Sequence, residues 1–152
     1  RKGEFNVIIC ASLIEHVAKP EELLSEITRV LADDGVVYLS FPPFYSPNGG
    51  HQFAPFHLLG EKNGIYLARR FGALRNVKMP LETVNYSSDN FEQAFGSWGL
   101  YILTIRKIER LLKEQQVNII ERSTRWMPID FSWIPLVGEF LTWHVQFLYS
   151  KK

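Results

Sequence analysis

The feature that most constrains the fold is a strand, a helix and a second strand that follow one another within residues 5–41. A nearly continuous apolar run over residues 5–11 predicts a strand buried on both faces of a parallel sheet. A helix is predicted from Pro20 to about residue 31, because proline is tolerated at the first helical position and apolar residues then recur at helical spacing. A turn with a left-handed Gly35 precedes a second buried strand over 36–41. Such a unit is parallel and right-handed, which indicates an α/β fold.

The order of these signals divides the chain into three parts. Residues 1–42 are predicted to hold the strand–helix–strand core, and residues 101–152 to close that core with a further helix and two strands. Between them, residues 43–100 form an insertion that is too long for an ordinary loop, and insertions of that size are usually functional. Helices are predicted within it over 64–71 and 89–96, and the insertion is expected to lie over the carboxyl ends of the strands as a substrate-binding lid.

The closing part has its own clear signals. Thr104 is predicted to cap an amphipathic helix that ends near residue 116. Strands are predicted over 117–124 and 143–149, and they can pair as a wide antiparallel hairpin. The expected sheet order is therefore first, second, last and penultimate strand, with the last strand antiparallel to both of its neighbours.

Composition narrows the classes of partner. The formal net charge of +1 gives no strong attraction to nucleic acid or to an anionic membrane, so no nucleic-acid partner is predicted. A single cysteine, Cys10, excludes an internal disulfide and predicts a reducing, cytoplasmic location. The aromatic stretch over 131–149 is interrupted by Pro135, Gly138 and Glu139, which argues against a membrane span. A hydrophobic pocket, a partner surface or an interfacial patch remain open for it, with membrane contact the less favoured.

Several short motifs indicate a family to which the chain is similar. They are Ser12-Leu13-Ile14-Glu15-His16-Val17, Arg29-Val30-Leu31, the turn that closes at Gly35, and Leu39-Ser40-Phe41-Pro42. In this order and spacing they resemble the second half of a class I S-adenosylmethionine (SAM)-dependent methyltransferase, of the group that includes the ubiquinone-biosynthesis O-methyltransferases. The resemblance implies the carboxyl-terminal half of a Rossmann-like sheet with an antiparallel last strand. In that family the Gly-rich turn that cradles SAM would lie before Arg1.

The resemblance also implies roles for the residues that follow the first strand. Cys10, Ala11 and Ser12 are expected to contact the methionine moiety of SAM. His16 is expected to orient the acceptor or to act as general base on it, with Glu15 as its partner; the alternative is a structural histidine at the junction of loop and helix. The quinone methyltransferases have an acidic metal ligand at the position of Ser12, so no metal site is predicted.

The insertion supplies the expected substrate contacts. His51 follows a flexible Gly-Gly pair and could reach over the site, and His57 could do the same. Aromatic residues of the insertion are expected to line a pocket for a small or lipophilic acceptor: Phe44, Tyr45, Phe53 and Phe56. His144, on the last predicted strand, is expected to lie in sheet packing.

Two functions follow from these expectations. In the first, the chain is a fragment of a SAM-dependent methyltransferase, inactive alone because it supplies one side of the cofactor cleft. In the second, it is a non-catalytic half-domain that binds a partner chain, a lipid or a membrane surface. In either case the hydrogen-bonding edge of residues 6–11 would be bare, so the piece is expected either to form a homodimer through that edge or to belong to a longer protein.

Overall fold

The main sheet has the predicted order. A computed structural model of the protein describes residues 3–75, 93–95 and 99–152. The strands of the main sheet lie in the order β1 (Phe5–Ala11), β2 (Leu31–Phe41), β6 (Val145–Ser150) and β5 (Asn118–Thr124). β1 and β2 are parallel, whereas β6 is antiparallel to both β2 and β5. The predicted α/β class and the antiparallel last strand are therefore confirmed.

Helices α1 (Pro20–Val30) and α3 (Ile105–Glu114) form the core together with the sheet. Alternate residues of β2 and β6 pair across the sheet and point into this core, as the pairs Val37–Tyr149 and Leu39–Phe147 show. The buried helix residues of the same cluster are Leu24, Ile27, Ile105, Ile108, Leu111 and Leu112. The apolar periodicity of the two helices thus predicts which helix faces are buried, although Leu23 and Val30 on the predicted inward face of α1 are only half-buried.

The predicted burial of the first strand on both faces is wrong for the described structure. The side chains of Phe5, Val7 and Ile9 are between 51% and 72% exposed, whereas Cys10 is buried in the core. Successive strand residues point to opposite faces, and the helices that pack on β1 within the described residues cover one face alone. The apolar run therefore leaves an uncovered apolar face on β1, which is also an edge strand of the described sheet.

The turn predicted at Gly35 is part of β2. The register with β1 shifts between Phe5, which pairs with Leu31, and Val7, which pairs with Val36, so residues 32–35 form a bulge. Gly35 does not have the positive φ that a left-handed cap requires. It is needed for space instead, because a Cβ there would lie 2.7 Å from Cδ1 of Leu31.

The insertion contains short helical elements and a small second sheet. 3₁₀ turns cover His51–Phe53 and Phe56–Leu59, and α2 spans Glu61–Phe71, which confirms the helix predicted over 64–71 with an earlier start. The helix predicted over 89–96 is wrong at residues 93–95. There β3 (Gln93–Phe95) pairs with β4 (Leu100–Tyr101), and pairing between segments overrides a local capping pattern. The rest of that predicted helix lies outside the described residues.

The helix α3 is capped from two directions. Thr104 Oγ1 accepts a hydrogen bond from the backbone N–H of Lys107 at 3.1 Å, as the sequence predicts. The carboxylate of Glu139, in α4 (Val137–Leu141), accepts hydrogen bonds from the N–H groups of Ile105 and Arg106 at 3.0 and 3.3 Å. Side chains therefore satisfy three of the first N–H groups of the helix, and Glu139 ties the 125–142 connection to the core. Within the described residues, no helix combines the length and apolar character that crossing a bilayer requires.

Replacing Glu139 by alanine should lower the free energy of unfolding by about 1–3 kcal/mol, because two buried N–H groups lose a charged acceptor. Urea denaturation of Glu139→Ala and the wild type measures this. The control is Glu114→Ala, which removes an exposed carboxylate at the other end of α3 and should change stability by less than about 0.5 kcal/mol. Equal effects of the two substitutions would contradict the capping role.

Candidate functional site

The candidate site lies at the carboxyl end of β1. The strand ends at Ala11, and the N–H of Ser12 donates a hydrogen bond to the carbonyl of Ser40 at 2.8 Å, which fixes the start of the loop against β2. Ser12 has a φ of 48°, so the chain turns sharply there. A 3₁₀ turn over Ile14–His16 follows, and Ile14 is fully buried. The hydrogen bond of Ser12 and the burial of Ile14 therefore anchor the loop directly before Glu15 and His16.

Glu15 is buried without a hydrogen-bond partner for its carboxylate. Its side chain is 2% exposed, and neither oxygen has such a partner among the described residues. His51 comes closest, with Nε2 3.7 Å from Oε1 of Glu15. Burial raises the pKa of Glu15, and burial, followed by the charge of His16, lowers the pKa of His51. The site therefore favours an uncharged carboxyl beside an uncharged imidazole.

His16 is oriented by the far end of the insertion. Its Nδ1 lies 2.8 Å from the carbonyl oxygen of Gly99, so Nδ1–H donates this hydrogen bond, and in the neutral ring the lone pair is then on Nε2. The rings of His16 and His51 are tilted, with centroids 4.9 Å apart. The insertion thus contacts the Glu15–His16 loop through both His51 and Gly99.

The ligand-capable atoms of Glu15, His16 and His51 all lie within 4.8 Å of one another. One carboxylate and two imidazoles are a donor set that a divalent transition metal accepts. The sequence-based prediction of no metal site rests on Ser12 and on the lack of metal-ligand spacing among the four histidines, and spacing along the chain does not reveal that the fold brings His51 to Glu15. The only sequence signal for His51 is the Gly-Gly pair before it.

The two glycines position His51 through close packing. A Cβ on Gly50 would lie 2.2 Å from the ring of His57, and a Cβ on Gly49 would lie 2.1 Å from the carbonyl oxygen of Pro43. The pair that indicates flexibility in the sequence is therefore required for space in the fold. His51 itself has a φ of 48°.

His144 packs at the end of the sheet, where its carbonyl accepts the N–H of Arg125 at 2.9 Å, and it also reaches the site, which the sequence did not predict. It immediately precedes β6, is buried, and places Nε2 3.3 Å from Oγ of Ser12. Its ring also contacts that of Trp126 edge-on, with centroids 5.1 Å apart. Because β6 runs antiparallel to β2, the start of β6 lies at the carboxyl ends of β1 and β2, and this topology brings His144 to Ser12.

The residues predicted to bind the cofactor lie together at the end of β1. Cys10 is buried, and burial, followed by the charge of Glu15, raises the pKa of its thiol to about 11. The thiol is therefore protonated at neutral pH and is not a nucleophile. Ala11 and Ser12 are exposed at the mouth of the site. Their contact with a cofactor stays a prediction.

The aromatic residues predicted to bind the acceptor lie in the core of the insertion. Phe44 and Phe53 are buried there, and Tyr45 and Phe56 pack against them. His57, predicted to reach over the site, is buried as well and donates Nε2–H to the carbonyl of Phe44 at 2.8 Å. Their role as an acceptor pocket, like the division of the chain into core and substrate-binding insertion, stays a prediction.

Comparison with known proteins gives consistent matches. A family model described as a methyltransferase domain matches residues 1–122. An uncharacterized methyltransferase of Mycobacterium tuberculosis is 34% identical over 86 residues, which cover 57% of this chain and 32% of that protein. One of Mycobacterium ulcerans is 24% identical over 152 residues, which cover 97% of this chain and 52% of the relative. The chain thus spans about a third to a half of the length of these relatives.

Solved structures share the fold. A SAM-dependent methyltransferase from Clostridium acetobutylicum has a TM-score of 0.52 at 12% identity, covering 97% of this chain and 58% of the other. PKMT2 from Rickettsia typhi, in complex with AdoHcy, has a TM-score of 0.53 at 11% identity, covering 99% and 36%. At these identities the likeness concerns the fold alone.

The burial of Glu15 leads to a pH-dependent prediction. Because its pKa is raised in the folded state, its contribution to stability is fully present below the unfolded pKa and is lost as pH rises through the folded pKa. Glu15→Gln removes this loss and should raise the free energy of unfolding at neutral pH by about 1 kcal/mol, with little effect below about pH 4.

Urea denaturation of both proteins across this pH range measures the difference, with the exposed Glu114→Gln as control. A variant that is less stable than the wild type at neutral pH would show that the carboxylate is compensated in the fold.

Proposed function

This chain belongs to the methyltransferase-domain family of class I SAM-dependent enzymes, and from that premise we propose that the protein transfers a methyl group from SAM to a small or lipophilic acceptor. The chain would supply the carboxyl-terminal part of the enzyme, with the acceptor side of the cleft. The alternative of a non-catalytic half-domain has weaker support, because the family model that matches residues 1–122 is that of a methyltransferase domain.

The observation that carries the proposal is the convergence of Glu15, His16 and His51 at the carboxyl end of β1. Open α/β sheets bind their ligands at the carboxyl ends of the strands. Titratable groups whose pKa values are shifted by burial concentrate at such functional sites. The family of the chain and the position of these three residues in the sheet thus support the same site.

The proposed chemistry is an in-line displacement. The acceptor atom attacks the methyl carbon of SAM, the new bond forms as the carbon–sulfur bond breaks, and S-adenosylhomocysteine leaves with the electron pair of that bond. A protonated acceptor must lose its proton, and Nε2 of His16 is the proposed base because its lone pair is left available by the Nδ1–H bond to Gly99. Burial raises the pKa of Glu15, whereas a charged His16 lowers it, so an imidazolium at His16 would favour the ionised Glu15 carboxylate as its partner.

The cofactor side of the cleft would need more than this chain. Cys10, Ala11 and Ser12 are proposed to line the methionine end of SAM. In open α/β sheets a cofactor is usually held from both sides of the point where the strand order reverses. The described residues supply one of these sides, formed by β1 and the strands that follow it in the sheet. Within the described residues, one face and one edge of β1 are uncovered, which supports further strands there in the whole protein. The 152-residue chain alone is therefore proposed to bind SAM weakly and to be inactive.

Replacing His16 by asparagine tests the assignment of the base. Asparagine keeps an N–H donor near the position of Nδ1 and removes Nε2, so kcat should fall by about 10²–10⁴-fold with little change in SAM affinity. Formation of S-adenosylhomocysteine by the whole protein, with a panel of phenols, quinols and fatty acids, gives the rate, and calorimetry gives the affinity.

The matched control is Glu22→Gln, which changes an exposed residue of α1 and should leave both quantities unchanged. Failure of the wild-type protein to bind SAM would remove the proposed function. An unchanged rate in His16→Asn would remove the assignment of the base.

A further inference from the structure

The connection between β5 and β6 exposes an unusual number of large apolar side chains. Eight of them are 40% to 69% exposed, and we call them the connector patch: Trp126, Ile129, Trp133, Leu136, Val137, Phe140, Leu141 and Trp143. Single apolar residues scattered over a surface need no explanation, but eight that are exposed along one connection indicate a binding surface.

Five backbone N–H groups of the connection are hydrogen-bonded within it. Ile134 donates to Phe131, Gly138 donates to Ile134 and Thr142 donates to Gly138, at 2.9 to 3.0 Å. The N–H groups of Val137 and Glu139 are also bonded within the connection, and residue 135 is a proline. A segment that enters an apolar medium needs its backbone groups satisfied internally, and this one meets that condition at these positions.

Of the two acidic groups of the connection, Glu139 is buried and Asp130 is half-buried. The carboxylate of Glu139 is buried and accepts the N–H groups at the start of α3. Oδ1 of Asp130 accepts the N–H of Ser132 at 2.8 Å. At the border of the patch, the guanidinium of Arg125 lies 5.0 Å from the centroid of the Trp126 ring. The patch thus presents apolar side chains with a cation at its edge, which suits lipid phosphates.

We propose that the connector patch docks on the surface of a phospholipid bilayer, with Trp126, Trp133 and Trp143 at the level of the headgroups. Tryptophan favours that level because its ring is apolar and its indole N–H is a donor. A folded protein partner would bring hydrogen bonds to the interface, about one per 100–200 Å², and the patch offers few groups to receive them. Strands added at the free edge of β1 would lie at the opposite edge of the sheet from β5.

Docking in this way would hold the candidate site at the membrane. β5, β6 and the connection meet at the same end of the sheet as the Glu15 loop, because Thr124 and Phe41 both pair with Val145. The patch reaches the site through Trp126, which contacts His144, and through Phe140, whose ring lies 5.6 Å from that of Tyr45. The docking inference stands on the surface alone and does not require methyl transfer.

Flotation with phosphatidylcholine vesicles tests the proposal. The wild-type protein should float with the vesicles, and about 0.5 M NaCl should change the bound fraction by less than about twofold, because apolar insertion dominates over charge. The double variant Trp133→Glu, Leu136→Glu should bind at least about tenfold more weakly, because charged side chains would replace two of the most exposed apolar ones.

The matched control is Tyr66→Glu, Phe71→Glu, which puts the same charges at two exposed apolar positions of α2 and should bind like the wild type. Thermal melts should show that both double variants are folded. Absence of vesicle binding by the wild type, or equal loss in the two double variants, would overturn the proposal. So would a wild-type dimer that becomes monomeric in Trp133→Glu, Leu136→Glu without vesicle binding, since a second copy would then cover the patch.

Discussion

The pairing of β2 with β1 on one side and β6 on the other sets the position of every group in the candidate site. The parallel pair places the end of β1 beside Ser40, where the loop to Glu15 begins. The antiparallel pair places the start of β6, and with it His144, at the same end. The chain also leaves β2 there, so the insertion begins next to the loop that it contacts through His51. Without this strand register, the side chains of the candidate site would not lie at the same end of the sheet.

Burial of the Glu15 carboxylate lowers the stability of the fold, and the surrounding residues hold this group in place. A carboxylate without hydrogen-bond partners reduces stability, and proteins retain such groups chiefly where they serve binding or catalysis. Its surroundings are held firmly: Ile14 is fully buried, Gly99 orients His16, and Gly50 lets the chain pass within contact of His57 so that His51 can approach. The same rigidity would keep the imidazoles in place when an acceptor arrives.

The elements with strong periodicity could be predicted from the sequence, and the contacts between distant segments could not. The β1–α1–β2 unit, the Thr104 cap and the sheet order follow from apolar spacing, capping residues and the handedness of parallel units. The bulge before Val36, the strand at 93–95 and the place of His144 depend on register and pairing, which a local pattern does not contain. The roles expected of Glu15 and His16 came from a family resemblance, whereas the approach of His51 required the folded insertion.

Hydrogen–deuterium exchange of the whole protein, with and without S-adenosylhomocysteine, tests most directly whether the carboxyl end of β1 is the reaction site. If it is, the ligand should slow exchange from Cys10 at the end of β1 through His16, and also around His51, because a bound ligand would oppose the local opening of both segments. Peptides of α2, which carries none of the residues proposed to contact the ligand, serve as an internal reference. If the ligand binds and slows exchange elsewhere but leaves both segments unchanged, the carboxyl end of β1 is not the reaction site.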